Sequence, residues 1–92
     1  MKLQTERDGA IRRVRLDAEK RNVLDLETVI ALRKALAPDP EAPVVVLSGR
    51  TDGFCAGLDN AVLSGDARDR ESLLHEMGAL LVDVLRSPTR VV

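Results

Sequence analysis

Val44-Val45-Val46-Leu47-Ser48-Gly49-Arg50-Thr51-Asp52-Gly53-Phe54-Cys55-Ala56-Gly57-Leu58-Asp59 is the stretch from which the fold is read. Val44 to Leu47 is an uninterrupted apolar, largely β-branched run. Such a strand belongs inside a sheet covered on both faces, usually a parallel one. Ser48 to Gly57 is a loop carrying Gly49, Gly53 and Gly57, and a short helical stretch is expected directly after it, near Leu58 to Leu63. Peptide N–H groups at a helix start have no intrahelical acceptor and carry partial positive charge. Ala56 and Gly57 are small enough to let a ligand approach the main chain. The N–H of Leu58 is therefore suited to receive a carbonyl oxygen that becomes an oxyanion. The same glycines also suit a tight strand-to-helix turn with no ligand, and spacing alone leaves both readings open.

Upstream of this stretch, Pro38, Pro40 and Pro43 close a helix and hold a stiff connection. That helix is expected from Leu26 to about Ala37 with Asp25 as its N-cap. Leu26, Val29, Ile30, Arg33 and Leu36 form its apolar stripe, with Arg33 as the one polar interruption. Ala18 to Asn22 reads as a polar connection. Before it, Leu3 to Glu6 and a return strand containing Ile11, Val14 and Leu16 read as a hairpin turning at Asp8-Gly9. Ile11 and Val14 differ in parity, which leaves a bulge open. Arg12, Arg13 and Arg15 make the ribbon basic, as on an exposed edge strand.

Downstream, Ser64-Gly65-Asp66 separates the short helix from a long one expected over roughly Asp69 to Arg86. Leu73, Leu74, Met77, Leu80, Leu81, Val84 and Leu85 form its broad apolar stripe. Ser87-Pro88 ends it, and Val91-Val92 opens another apolar run. One helix and one hairpin do not cover both faces of the Val44–Leu47 strand. The expectation is therefore part of a larger α/β fold.

The 92 residues include 45% hydrophobic and 32% charged side chains, an ordinary globular balance that argues against disorder. With 14 Lys+Arg against 15 Asp+Glu the net charge is −1, which removes the electrostatic case for a nucleic-acid or polybasic membrane partner. No apolar run approaches the roughly 18 residues needed to span a bilayer. Met1 to Glu6 lacks the apolar core of a signal peptide. Cys55 is the single cysteine, so an internal disulfide and a multi-cysteine metal site are excluded, and a reducing, cytoplasmic setting is expected. One Phe with no Trp or Tyr makes a thin core.

Conventional catalytic groups are sparse. His75 reads as a solvent-facing or capping residue in a helix rather than a general base, and Cys55 as a small buried hydrophobe rather than an activated thiol. Asp66, Asp69 and Glu71 suit a helix start. No carboxylate pair stands out as an acid/base couple.

Phe54-Cys55-Ala56-Gly57-Leu58-Asp59, preceded by Val44-Val45-Val46-Leu47-Ser48-Gly49, resembles the signature of the enoyl-CoA hydratase/isomerase (crotonase) superfamily. Leu16-Asp17 and the run Glu19-Lys20-Arg21-Asn22-Val23-Leu24-Asp25 are similar to that family's upstream motif, a basic residue followed by Asn-Ala-Leu before the first helix. Val23 departs from the usual Ala, a mild change that leaves a main-chain contact intact. The order of hairpin, helix, buried strand, loop and long helix agrees over essentially all 92 residues.

The resemblance implies a crotonase-like ββα spiral, with residues 1–92 as the N-terminal part of an acyl-CoA-binding domain. It implies an enzyme that holds an acyl-CoA thioester and stabilises an enolate-like anion with two main-chain N–H donors. Hydration of a 2-enoyl-CoA or double-bond isomerisation is the reaction expected. The first donor maps onto Leu58. Lys20, Arg21 and Val23 lie along the coenzyme A phosphates and pantetheine, and Ala56, Leu58, Asp59 and Asn60 complete the substrate-contacting set. Asp59 is expected to fix the loop and short helix rather than to transfer protons. Coenzyme A enters as part of the substrate, with no covalently bound cofactor, and the full-length form is expected to be a homotrimer or hexamer. The family's second donor and its usual carboxylates would lie beyond residue 92, so the chain alone is expected to be inactive. The alternatives are a non-catalytic coenzyme A-binding or assembly module, and a truncated inactive fragment.

Overall fold

The computed structural model describes residues 3–18 and 22–92. Strands β1 (Leu3–Asp8) and β2 (Ile11–Leu16) form the expected antiparallel hairpin, in continuous register from Leu3 opposite Leu16 to Asp8 opposite Ile11. No bulge interrupts it. Because pairing runs through Asp8, the chain reverses at Gly9-Ala10, one residue later than the Asp8-Gly9 turn expected from sequence. Helix α1 follows at Leu26–Ala35, then strand β3 at Val44–Ser48, helix α2 at Asn60–Leu63, helix α3 at Ala67–Arg86 and strand β4 at Arg90–Val91.

Among the described residues these strands make one sheet in the order β1-β2-β3-β4, with β3 parallel to both neighbours. The parallel setting expected for Val44–Leu47 is thus observed. Strand β2 is internal rather than the exposed edge expected of it, since β3 covers its far side and β1 takes the edge. Its arginines are tethers: Arg12 donates to the Ala37 carbonyl at 2.8 Å and lies 3.7 Å from Asp39, while Arg13 pairs with Asp8 at 3.3 Å.

Pleating assigns Val14, Leu16, Val45 and Leu47 to one face, and α1 and α3 pack there. Val14, Leu16, Val45, Val29 and Leu73 are buried at the centre of this layer. Val44 and Val46 point the other way and are only half-buried, so the two-sided burial expected of this strand is closed on one side within this chain.

Asp25 caps α1 as expected, accepting from the Thr28 N–H at 2.8 Å. The helix ends at Ala35, earlier than expected, with Leu36 as C-cap. Its inner face is Thr28, Val29, Leu32 and Leu36, whereas Ile30 is exposed. Arg33 turns to α3 and binds Glu76 at 2.7 Å and Asp83 at 2.9 Å. Those hydrogen bonds, first to Glu76 and then to Asp83, raise its pKa above the ordinary arginine value. Helix α3 starts at Ala67 because Asp66 accepts from the N–H groups of Arg68 and Asp69. Only Leu73 and Leu80 of its stripe are buried, and Leu74, Leu81 and Leu85 face solvent. No helix among the described residues is long and apolar enough to cross a membrane.

Candidate functional site

Two segments far apart in sequence meet beside the C-terminal end of β3. Leu24 and Leu58 form a single parallel β-bridge. The Leu24 N–H donates to the Gly57 carbonyl at 2.8 Å, and the Asp59 N–H donates to the Leu24 carbonyl at 2.9 Å. Successive peptide groups in an extended segment point to opposite sides. With Gly57 C=O and Asp59 N–H both committed toward Leu24, the N–H of Leu58 points away from it. No acceptor for that N–H exists among the described residues. On a half-buried residue beside exposed Ala56 and Gly57, such a main-chain donor is open to an external acceptor.

The loop is held in this course by close contacts. A Cβ on Gly49 would lie 2.6 Å from the Phe54 Cα and 2.7 Å from its carbonyl oxygen, so only glycine lets the end of β3 touch the loop this closely. Gly57 sits at φ +93°, a conformation L side chains rarely adopt, immediately before the free amide. Arg50 and Gly53 exchange main-chain hydrogen bonds at 3.1 and 3.2 Å. The Arg50 guanidinium also reaches the Ala18 carbonyl at 3.2 Å and Asp52 at 3.1 Å. Asn22 is fully buried, and its Nδ2 donates to the carbonyls of both Leu16 and Phe54 at 2.9 Å.

Of the residues singled out in the sequence, Val23, Ala56, Leu58, Asp59 and Asn60 are brought around this bridge. Val23 is half-buried between Asn22 and Leu24, and Ala56 is exposed at the loop surface. Lys20 and Arg21 lie outside the described residues. One expectation is corrected. Helix α2 begins at Asn60 and not at Leu58, because the Asp59 carboxylate accepts from the Ala61 N–H at 2.9 Å and so occupies the N-cap. The Leu58 N–H is consequently free as the outward side of a β-bridge, not as part of a first helical turn. Asn60 is exposed, and its carbonyl accepts from Ser64. His75 is solvent-facing, and Cys55 packs against the core.

Two groups that hold the loop escaped the sequence reading. Asn22 was placed in a polar connection, yet it is among the most buried polar residues. The signal available for it was its residue type, since Asn tolerates the left-handed backbone it adopts here, φ +61°. Arg50 carried no signal, because its partners Ala18 and Asp17 come from a distant segment.

An apolar cavity of about 250 Å³ opens beside the loop, between the sheet and the inner faces of α1 and α3. Phe54 and Cys55 line it from the loop, Leu24 from the bridge, and Leu47, Met77 and Leu80 from the packed layers. The arrangement offers an N–H held in a fixed direction by the Leu24 bridge, on a loop whose residues Phe54 and Cys55 line apolar space. Chemically, that is a place where a carbonyl oxygen gains charge while its alkyl portion avoids water.

No protein-family model and no curated protein matches the chain. Solved structures do. The human enoyl Coenzyme A hydratase domain-containing protein 3 superposes with a TM-score of 0.90 at 21% identity, over 99% of this chain and 38% of that one. An enoyl-CoA hydratase from Geobacillus kaustophilus gives a TM-score of 0.87 at 26% identity, over 98% of this chain and 36% of its own. The enoyl-CoA hydratase of Bacillus halodurans gives 0.85 at 19% identity, over 99% and 40%. The chain therefore spans less than half the length of the solved proteins it matches, and over that span it has their crotonase-type α/β architecture.

Proposed function

We propose, for a chain with the enoyl-CoA hydratase/crotonase architecture, that it supplies the acyl-CoA-binding loop and the first oxyanion donor of a crotonase-type enzyme. The observation that carries this reading is the Leu58 N–H. It has no acceptor among the described residues, is aimed outward by the Leu24 bridge, and lies on a loop that lines an apolar cavity. A thioester carbonyl placed on this amide is polarised. As water adds to the β-carbon or the α-carbon loses a proton, negative charge accumulates on the oxygen and the hydrogen bond strengthens; it relaxes again when the α-carbon is protonated. For a 2-enoyl-CoA the water oxygen joins the β-carbon as the double bond shifts to give the enolate. The enolate's α-carbon then takes up a proton, so that water's oxygen and one hydrogen end on the β-carbon and a hydrogen ends on the α-carbon. Ala56 and Val23 border the path of the coenzyme, with Lys20 and Arg21 supplying cations for its phosphates. Asp59 holds the loop end by capping α2.

A single donor gives incomplete catalysis. Removing one oxyanion-hole donor costs about 3–4 kcal/mol, or about 10²–10³ in rate. The likeness extends over 38% of the human protein. The 92-residue chain by itself is therefore expected to bind acyl-CoA without turning it over. Calorimetry with acetyl-CoA and free coenzyme A, beside a hydration assay with crotonyl-CoA, tests this. Binding without turnover is the expected result. Turnover would place the remaining groups within this chain, and absence of heat with both ligands would remove the acyl-CoA reading.

A further inference from the structure

Asn22 is a polar side chain with no solvent exposure, at φ +61°. A carboxamide taken out of water is costly unless its donors and acceptor are used, at about 1–3 kcal/mol for each group left unpaired. Here all are used. Oδ1 accepts from the Ala18 N–H, and Nδ2 donates to the Leu16 carbonyl at the end of β2 and to the Phe54 carbonyl at the root of the loop. One nitrogen thus ties the sheet to the loop. Two residues later, Leu24 takes hold of Gly57 and Asp59. The segment from Asn22 to Leu24 grips the loop at 54, 57 and 59, and leaves the amide of 58 as the one aimed elsewhere. Gly49 lies against the same Phe54 peptide, where a Cβ would come within 2.6 Å of its Cα. Phe54 is therefore held by a hydrogen-bond donor and a close glycine contact, and its position sets where the following residues run.

We infer that Asn22 is the positioning residue of the Leu58 amide: by donating to the Phe54 carbonyl, its buried carboxamide fixes the direction in which the loop presents that N–H. That the amide serves an acyl group rests on the proposed function; that Asn22 orients it does not.

Two variants separate this role from simple core filling. Asn22→Asp keeps an acceptor for Ala18 and tolerates the backbone conformation, but loses both donors. Asn22→Gly keeps only the backbone. In the ¹⁵N-labelled 92-residue chain, the amides of Val14 and Val45 report the sheet, and those of Leu58 and Asp59 report the loop. The expected result in both variants is unchanged exchange protection in the sheet, Asp59 protection lowered about tenfold, and a displaced, broadened Leu58 cross-peak. Unaltered Leu58 and Asp59 signals in both variants overturn the inference. Equal loss of protection across sheet and loop in both also overturns it, since Asn22 would then serve the core as a whole. Titration with acetyl-CoA adds an independent arm, in which the Leu58 cross-peak moves in the wild-type chain and affinity weakens about tenfold in Asn22→Asp. A wild-type Leu58 signal indifferent to acetyl-CoA, beside the expected loop changes, would remove the acyl-CoA reading and leave the positioning role standing.

Discussion

Leu24 and Leu58, which sit in different motifs of the chain, face each other across a single parallel β-bridge closed by hydrogen bonds of 2.8 and 2.9 Å. The bridge uses the N–H and C=O of Leu24 but only the flanking peptide groups of Leu58. Its asymmetry is what leaves one amide hydrogen for a ligand.

The first prediction follows from that asymmetry. Leu58→Pro deletes a hydrogen that has no acceptor among the described residues, while Leu58→Ala retains the donor. Acetyl-CoA affinity by calorimetry is expected to fall about tenfold in the proline variant and to stay within about twofold in the alanine variant. Equal losses would remove the backbone-donor assignment. Circular dichroism checks that both variants stay folded.

Gly49 and Gly78 give opposite expectations for the same change. A Cβ on Gly49 strikes the Phe54 main chain at 2.6 Å, whereas one on Gly78, in the middle of α3, meets nothing within 4 Å. Gly49→Ala should lower stability by about 1–3 kcal/mol. Gly78→Ala should raise it by about 0.5–1 kcal/mol, by removing unfolded-state freedom and improving helix propensity. Urea denaturation of the two variants measures both signs.

Leu73 and Leu85 both belong to the apolar stripe of α3, yet one is fully buried and the other is 84% exposed. Leu73→Ala is expected to cost about 2–5 kcal/mol, through lost transfer energy and a cavity. Leu85→Ala should fall within about 0.5 kcal/mol of wild type. A comparable loss in both would mean that the outer face of α3 is covered in solution.

Arg33 links α1 to α3 through Glu76 and Asp83. Its raised pKa means that the charged form is the one favoured by folding, so its contribution is complete below the ordinary arginine value and lost only as pH rises through the still higher folded value. Arg33→Met should therefore lower Tm by an amount that is flat across neutral pH, with no titration step from Arg33 itself. The difference should narrow as salt is raised. A Tm difference that titrates near neutrality would contradict this account.

The legible parts of the fold were those written in local chemistry. The β-branched run at Val44 announced a parallel strand, Asp25 announced a helix start, and Pro38 to Pro43 closed that helix. The illegible parts depend on what lies across space. Periodicity showed that α1 and α3 have apolar sides, but the covered flank is chosen by the sheet, so Ile30, Leu74 and Leu81 were read as inward and stand outward. Arg33 looked like an interruption of a stripe because its partners are on another helix. The turn at Gly9-Ala10 was displaced by one residue because strand pairing, not the Asp-Gly pair, sets where a hairpin reverses. At the site, the two motifs were visible separately. Their joining through Leu24 was not, since a single main-chain bridge leaves no mark on side-chain pattern, and Asp59 looked like the second residue of a helix that it in fact caps.

The bridge between Leu24 and Leu58 has a consequence for how this chain tolerates change. Its bonds run peptide to peptide, so side chains at 23, 24, 56 and 58 can be exchanged for others of similar bulk while the amide keeps its aim. The geometry is exposed to mutation at Asn22, Gly49 and Gly57 instead, where one side chain's nitrogen and the lack of a Cβ do work that no other residue can take over.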